Sequence, residues 1–283
     1  MAAIRLDARA CEKPWGRRDL SPWSTLQPAA PVGEMIYDSP GASAALLVKA
    51  LFTAERLSIQ VHPDAAAARA LGLPCGKDEA WVVLAADPGA TIGLGLKAPA
   101  SRATLAAAAR DGSIVDLVDW RPCVAGDVLF APAGTIHAIG GGLVVLEVQQ
   151  NLDLTYRLYD YGRPRELHLV DGLAAADPSP WRASAPPRPL GGGRTVLVDA
   201  DAFVLERLTL DGSARLSPVA GRPVWLALLG GAGTIDGAAW MAGEVWLADA
   251  AVEIEGEGGD LLLAYPGQGV AMDIWQTDRA VAA

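Results

Sequence analysis

The chain has 283 residues, is 51% hydrophobic and carries a formal net charge of −10. That is enough apolar material for a large core in one or two domains. An acidic surface with no basic cluster excludes nucleic acid and anionic membranes as partners, but a few local Lys and Arg can still hold a small phosphorylated substrate.

Strand-like segments dominate in chain order: AALLVKALF (44–52), LSIQVH (57–62), EAWVVLAA (79–86), CVAGDVLFAPAG (123–134) and GLVVLEVQQN (142–151), each bounded by Gly, Pro or Asp turns. Two Ala-rich segments read as helices. DAAAARALG (64–72) is capped by Asp64, and SRATLAAAARDG (101–112) is capped by Ser101 and stopped by Gly112. Pro178 to Gly193 is rich in Pro, Ser and Gly and reads as a linker. Beyond it, a second strand-rich half contains GEVWLADAAVEIEGEGGDLLLAY from Gly243, a faint repeat of GDVLFAPAGTIHAIGGGLVVLEV from Gly126. In that alignment His137 falls on Ile254, so the second copy keeps the strand pattern and lacks the histidine. The expected organisation is mostly β: residues 1–180 form a domain with a site, and 190–283 a similar domain without one. Cys11, Cys75 and Cys123 are far apart and form no disulfide framework. The first twenty residues lack an apolar h-region, and no run is long enough to cross a bilayer. A cytoplasmic monomer or homodimer is expected.

The chain has three histidines. In LSIQVHP, Gln60 and His62 are two residues apart, so on a strand they share a face while Ile59 and Val61 share the other. Glu79 opens a strand after the turn CGKD. His137 follows the Pro132 and Gly134 turn in PAGTIH, where a glycine-set turn fixes where the imidazole points. Two imidazoles and a carboxylate are the usual ligands of a catalytic divalent ion, and Gln60 adds an amide oxygen. Spacing alone does not choose among zinc, manganese and iron. Lys49 lies inside an apolar run, where an unpaired ammonium is costly, and Lys77 precedes Glu79, so the two fit a cradle for phosphate or hydroxyl groups.

These residues resemble the type I mannose-6-phosphate isomerases, zinc-dependent members of the cupin superfamily. The resemblance runs through KPWG (13–16), VGEMIY (32–37), LSIQVHPD (57–64), GKDEAW (76–81), PAGTIHAI (132–139) and QQNLDLTYRLYDYGRPRELH (149–168). It implies two cupin-type jelly-roll barrels. It also implies zinc on Gln60, His62, Glu79 and His137, with Lys49, Ser58 and Lys77 around a phosphosugar. In EVQQNLDLTYR it implies active-site roles for Glu147, Asp153 and Arg157, with Arg163 as a further basic residue. Glu34 is expected to border the pocket and His168 to be structural.

Two departures stand out. The chain has no room for the helical insertion of long members and so resembles the short bacterial form. Ile139 also stands where longer members carry an aromatic residue. The implied activity is isomerisation of mannose 6-phosphate and fructose 6-phosphate through a cis-enediol. The alternatives are a cupin isomerase for another phosphosugar and a non-catalytic metal-containing sugar-binding cupin. A dioxygenase fits worse, because Lys77 and Arg157 suit a phosphate ester.

Overall fold

A computed structural model describes residues 2–40 and 44–277. Among these residues the chain forms three antiparallel sheets stacked on one another. A middle sheet of six strands runs in the order Ala8–Arg17, Val32–Tyr37, Leu46–Thr53, Leu143–Gln150, Glu79–Ala86, Val128–Ala131. A histidine sheet of five runs Tyr156–Tyr159, Ile59–Val61, His137–Ile139, Thr91–Leu96, Val118–Pro122. The third, C-terminal sheet has nine strands from residues 188–277 and from Ala3–Arg5, which pairs with Val245–Ala248. No helix among the described residues is long and apolar enough to cross a membrane.

The period of two explains the stacking. In Leu46–Thr53, Leu46, Val48, Ala50 and Phe52 point away from the histidine sheet and pack on Leu197, Phe203, Leu205, Trp225 and Leu262 of the C-terminal sheet. Leu51, Trp81, Val83 and Val145 face the other way and meet Ile92, Leu94 and Ile139 of the histidine sheet. One end of this inner space is filled by apolar side chains. At the other end the inward positions are Lys49, Glu79 and Glu147, and a cavity opens there. The outer face of the histidine sheet, including Ile59 and Val61, is covered by Leu105, Ala108 and Ala109 of the helix Arg102–Asp111.

Both expected helices form, with the expected caps. Asp64 accepts the Ala67 amide at 2.7 Å, Ser101 accepts that of Thr104 at 3.0 Å, and Gly112 ends its helix at φ 87°. Two short helices, Ile114–Leu117 and Leu169–Ala175, add to them. The 178–193 segment is more ordered than its composition suggests. The Trp181 indole packs on the first half of the chain and donates to the Phe130 carbonyl at 2.9 Å, and Arg188–Gly191 forms an edge strand. One large aromatic with a buried partner is enough to tie down a Pro-rich stretch.

Candidate active site

Alternation on Ile59–Val61 sends Ser58, Gln60 and His62 inward, opposite to Ile59 and Val61. His137 pairs directly with Gln60 across the adjacent strands. The Pro132–Gly134 turn sets this register: Gly134 adopts φ 88° and donates its amide to the His62 carbonyl at 2.9 Å. Glu79 reaches the same point from the middle sheet. Its loop is fixed by Asp78, whose carboxylate accepts the Ala133 amide at 2.7 Å and whose own amide donates to Gln150 at 3.0 Å. Gly76 leaves no room for a side chain, because a Cβ would lie 2.8 Å from the Ala65 nitrogen. The turn carrying Lys77 therefore presses against the start of the helix that follows His62.

The ligand atoms of His62, Glu79 and His137 lie within 4.8 Å of one another, and all three residues are buried. His62 Nδ1 hydrogen-bonds the Leu154 carbonyl, and His137 Nδ1 that of Thr135, both at 2.9 Å. Each neutral imidazole donates through Nδ1, so its Nε2 lone pair is turned inward. These lone pairs face Glu79 oxygens at 3.2 Å for His62 and 3.5 Å for His137. Burial, aided by Lys77, pushes His62 down to about 4. Burial also lowers His137. Both rings are therefore neutral near pH 7. Burial alone would raise Glu79, but the Lys77 ammonium beside it holds it well below the usual carboxylate range. Three acceptors thus converge with no proton between them, an arrangement that calls for a cation. Lys77 Nζ supplies part of that charge, 2.9 Å from Glu79 and 3.4 Å from His62 Nε2.

Gln60 completes the group. Its NH2 lies 3.2 Å from His137 Nε2 and its carbonyl oxygen accepts from Ser58 Oγ at 3.1 Å. Exchanging the two amide atoms turns the oxygen toward the histidines. The donor set fits a divalent ion: neutral imidazoles, a carboxylate and an amide, with each imidazole oriented by a backbone carbonyl behind it.

The cavity above this floor has a volume of about 420 Å³, within the usual range for small-molecule sites. Lys49, Ser58, Gln60, Lys77, Glu79, Glu147, Asp153 and Arg157 line it, as does Glu34. Lys49 lies opposite Glu147 across paired strands, 3.4 Å from its carboxylate and 2.7 Å from Gln149 Oε1. Trp81 Nε1 donates to Glu147 at 2.9 Å. Burial and the Glu79 charge raise Glu147. Burial opposes, but Glu147, Glu34 and Glu79 outweigh it and raise Lys49. Ile139 lies on the wall and is buried.

Arg157 pairs with Gln60 in the strand register. It makes no ion pair among the described residues, and its buried Nε has no acceptor. Asp160 binds Arg163 at 3.1 Å and Arg165 at 2.6 Å instead. Arg163 stands away from the cavity, its guanidinium taken up by Asp160, Glu55 and the Arg56 carbonyl. Arg165, not anticipated from the sequence, lines the cavity. Its one signal was the cluster of basic residues in YGRPR. His168 is structural, as expected: Nδ1 accepts the Arg157 amide at 3.2 Å.

No family profile matches the chain. It is 37% identical over 199 residues to a mannose-6-phosphate isomerase of Streptococcus mutans, the match covering 66% of this chain and 61% of that one. It is 35% identical over 181 residues to a mannose-6-phosphate isomerase of Bacillus subtilis, covering 60% and 57%. The matched stretch thus spans about three fifths of the length of these curated relatives. Among solved structures, the mannose 6-phosphate isomerase from Bacillus subtilis superposes with a TM-score of 0.81 at 24% identity, covering 93% of this chain and 99% of that one. A putative mannosephosphate isomerase from Archaeoglobus fulgidus gives 0.73 at 18%, covering 94% and 97%. The chain shares the mostly-β, cupin-type fold of these proteins, and the resemblance read from its motifs extends to both sequence and fold.

Proposed function

We propose that the chain is a zinc-dependent aldose–ketose isomerase that interconverts mannose 6-phosphate and fructose 6-phosphate. The observation that carries this reading is the convergence of His62, Glu79 and His137 within 4.8 Å, beneath a cavity whose walls hold Lys49, Glu147 and Arg157. The names of the relatives point the same way.

Gln60, His62, Glu79 and His137 would hold the ion. When bound, it supplies Lewis-acid polarisation of the substrate oxygens. The residues do the rest. In the aldose-to-ketose direction the C2 proton leaves carbon and returns at C1, while the O2 proton is replaced by one on O1. Glu147 carries the carbon-bound proton. It is buried on the wall, raised above its usual range, and held in orientation by Trp81 and Lys49. Lys77 and Arg157 are fixed positive charges facing the oxygens of the cis-enediol. Lys49, Ser58 and Asp153 orient substrate or its neighbours, Ser58 acting through Gln60.

Residues 1–180 are the catalytic domain and 190–283 a degenerate copy. Laying Gly126 on Gly243 puts Val128–Ala131 on Val245–Ala248, each strand following a glycine of positive φ (95° and 90°), with His137 falling on buried Ile254.

A coupled assay of mannose 6-phosphate conversion tests the reading on purified protein, on chelator-stripped protein refilled with zinc, and on His137→Ala. Turnover lost on stripping, restored by zinc and absent in the variant is the expected result. A zinc-loaded protein that does not turn over this sugar overturns the assignment.

A further inference from the structure

We infer that Arg165, locked in place by the buried Asp160, is the residue that recognises the phosphate of the substrate. This inference rests on the phosphosugar reading above and assigns one end of that cavity.

The argument begins with charge on the wall. Four cations face the cavity beside a carboxylate that faces it too: Arg9 with Asp38 at 2.9 Å, Lys13 with Glu34 at 3.0 Å, Lys49 with Glu147 at 3.4 Å and Lys77 with Glu79 at 2.9 Å. A phosphate approaching any of these meets a negative group as well as a positive one. Arg165 is different. Its partner Asp160 is 2% exposed and lies behind the wall. That carboxylate takes Nε at 2.6 Å and Nη2 at 2.7 Å. The two-point grip fixes the guanidinium plane and leaves the other Nη free to donate. Arg163 Nη1 also donates to Asp160 Oδ1 at 3.1 Å, and its Nη2 is taken up by Glu55 at 2.8 Å.

Arg157 adds to the same cavity a second cation without a carboxylate partner on the wall. It has no ion-pair partner among the described residues, its Nε lacks an acceptor, and its Nη1 reaches only the Glu166 carbonyl at 3.4 Å. The turn from Arg157 folds back so that the His168 amide donates to the Arg157 carbonyl at 2.8 Å. Asp153 is the remaining carboxylate on the wall and pairs with neither arginine. Position along the fold agrees. Arg157 is paired with Gln60 across adjacent strands, and Arg165 lines the same cavity. With carbons 1 and 2 of a hexose 6-phosphate at the ligand cluster, the phosphate is assigned to Arg165 on the wall of the same cavity, and Asp160 acts as its positioning residue.

Steady-state kinetics on the zinc-loaded full chain tests this, with mannose 6-phosphate as substrate and inorganic phosphate or unphosphorylated mannose as inhibitors. Arg165→Gln raises KM and weakens phosphate inhibition by about tenfold to a hundredfold, as expected for a charged hydrogen-bonding group. Its kcat stays within about threefold, and inhibition by mannose is unchanged, because the lost contact is the same in ground and transition states. Arg165→Lys falls between, and it carries the test if the Gln variant does not fold. Asp160→Asn shows the same rise in KM at unchanged kcat. A folded Arg165→Gln with wild-type KM and phosphate inhibition overturns the inference, as does a variant that loses kcat alone. If the wild type does not turn over mannose 6-phosphate, the isomerase reading fails. Calorimetric binding of inorganic phosphate then decides this inference separately: binding lost in Arg165→Gln supports it, and binding that is absent in the wild type or unchanged in the variant overturns it.

Discussion

Each half of the chain buries a polar cluster, and the two are built differently. In the second half, Glu206 is fully buried, and its oxygens accept Nε and Nη2 of Arg194, both at 2.9 Å, together with the Tyr265 hydroxyl. Arg194 donates further to the carbonyls of Met272 at 2.6 Å through Nη1 and Ala271 at 2.8 Å through Nη2. Each donor nitrogen meets an acceptor, so the cluster is closed and staples the 271–272 segment to the sheet. In the first half, acceptors meet acceptors: two imidazole lone pairs point at one carboxylate, and Lys77 answers only part of the demand. A closed cluster holds the fold, and an open one holds a ligand.

The sharpest way to break this contrast is to open the closed cluster. Arg194→Met strands Glu206 in the core and is expected to cost about 3–5 kcal/mol of stability. Turnover per folded molecule should hold. Chemical denaturation alongside kcat checks both, and a loss of turnover without a loss of stability would undo the distinction.

The converse experiment acts on the open cluster. His137→Gln removes one inward lone pair and keeps most of the volume. Bound metal measured by elemental analysis should drop, and turnover should fall about 10²-fold or more, as for other lost transition-state electrostatic groups. Its metal-free form should melt closer to the metal-free wild type than Arg194→Met does. Chelator should lower the melting temperature of the wild type and leave this variant unmoved.

A third test sits where the halves meet. Tyr37 donates to the Gly243 carbonyl at 3.0 Å and accepts from Trp23 Nε1 at 2.7 Å. Burial pushes its phenol up to about 12 from the ordinary 10. The folded state favours the protonated form, so this contribution is complete below pH 10 and is lost as pH rises from 10 to about 12. Tyr37→Phe should be less stable at neutral pH, with a flatter decline over that window in a melting-temperature series.

The smallest expected effect is Asp64→Ala, which removes the helix cap beside His62 and should cost about 1 kcal/mol. Thermal melts would detect it, and kcat should barely move.

Much of the candidate site could be read from the chain because its pieces are local. Gln60 and His62 share a face by simple alternation, Glu79 sits at the first position of its strand, and His137 follows a turn that glycine permits. The helix caps Asp64 and Ser101 and the stop at Gly112 are local in the same way. What stayed hidden involved partner choice. Asp160 could pair with Arg157 by sequence distance, yet it holds Arg163 and Arg165, because the turn carries those two guanidinium groups to it. Ser58 lines the cavity and also donates its hydroxyl to Gln60 at 3.1 Å. Arg163 looked like a pocket residue and is spent on Glu55 and Asp160.

By itself, then, the sequence determined the strand faces, the helix ends and the types of the converging ligands, because φ/ψ preference and side-chain alternation act over a few residues. The tertiary structure alone decided which charges cancel. Lys49 finds Glu147 and Gln149 about a hundred residues away, and the opposite face of their sheet finds its core in the C-terminal half. An ionisable side chain's role depends on what else is buried beside it, and strand pairing across the whole chain sets those neighbours.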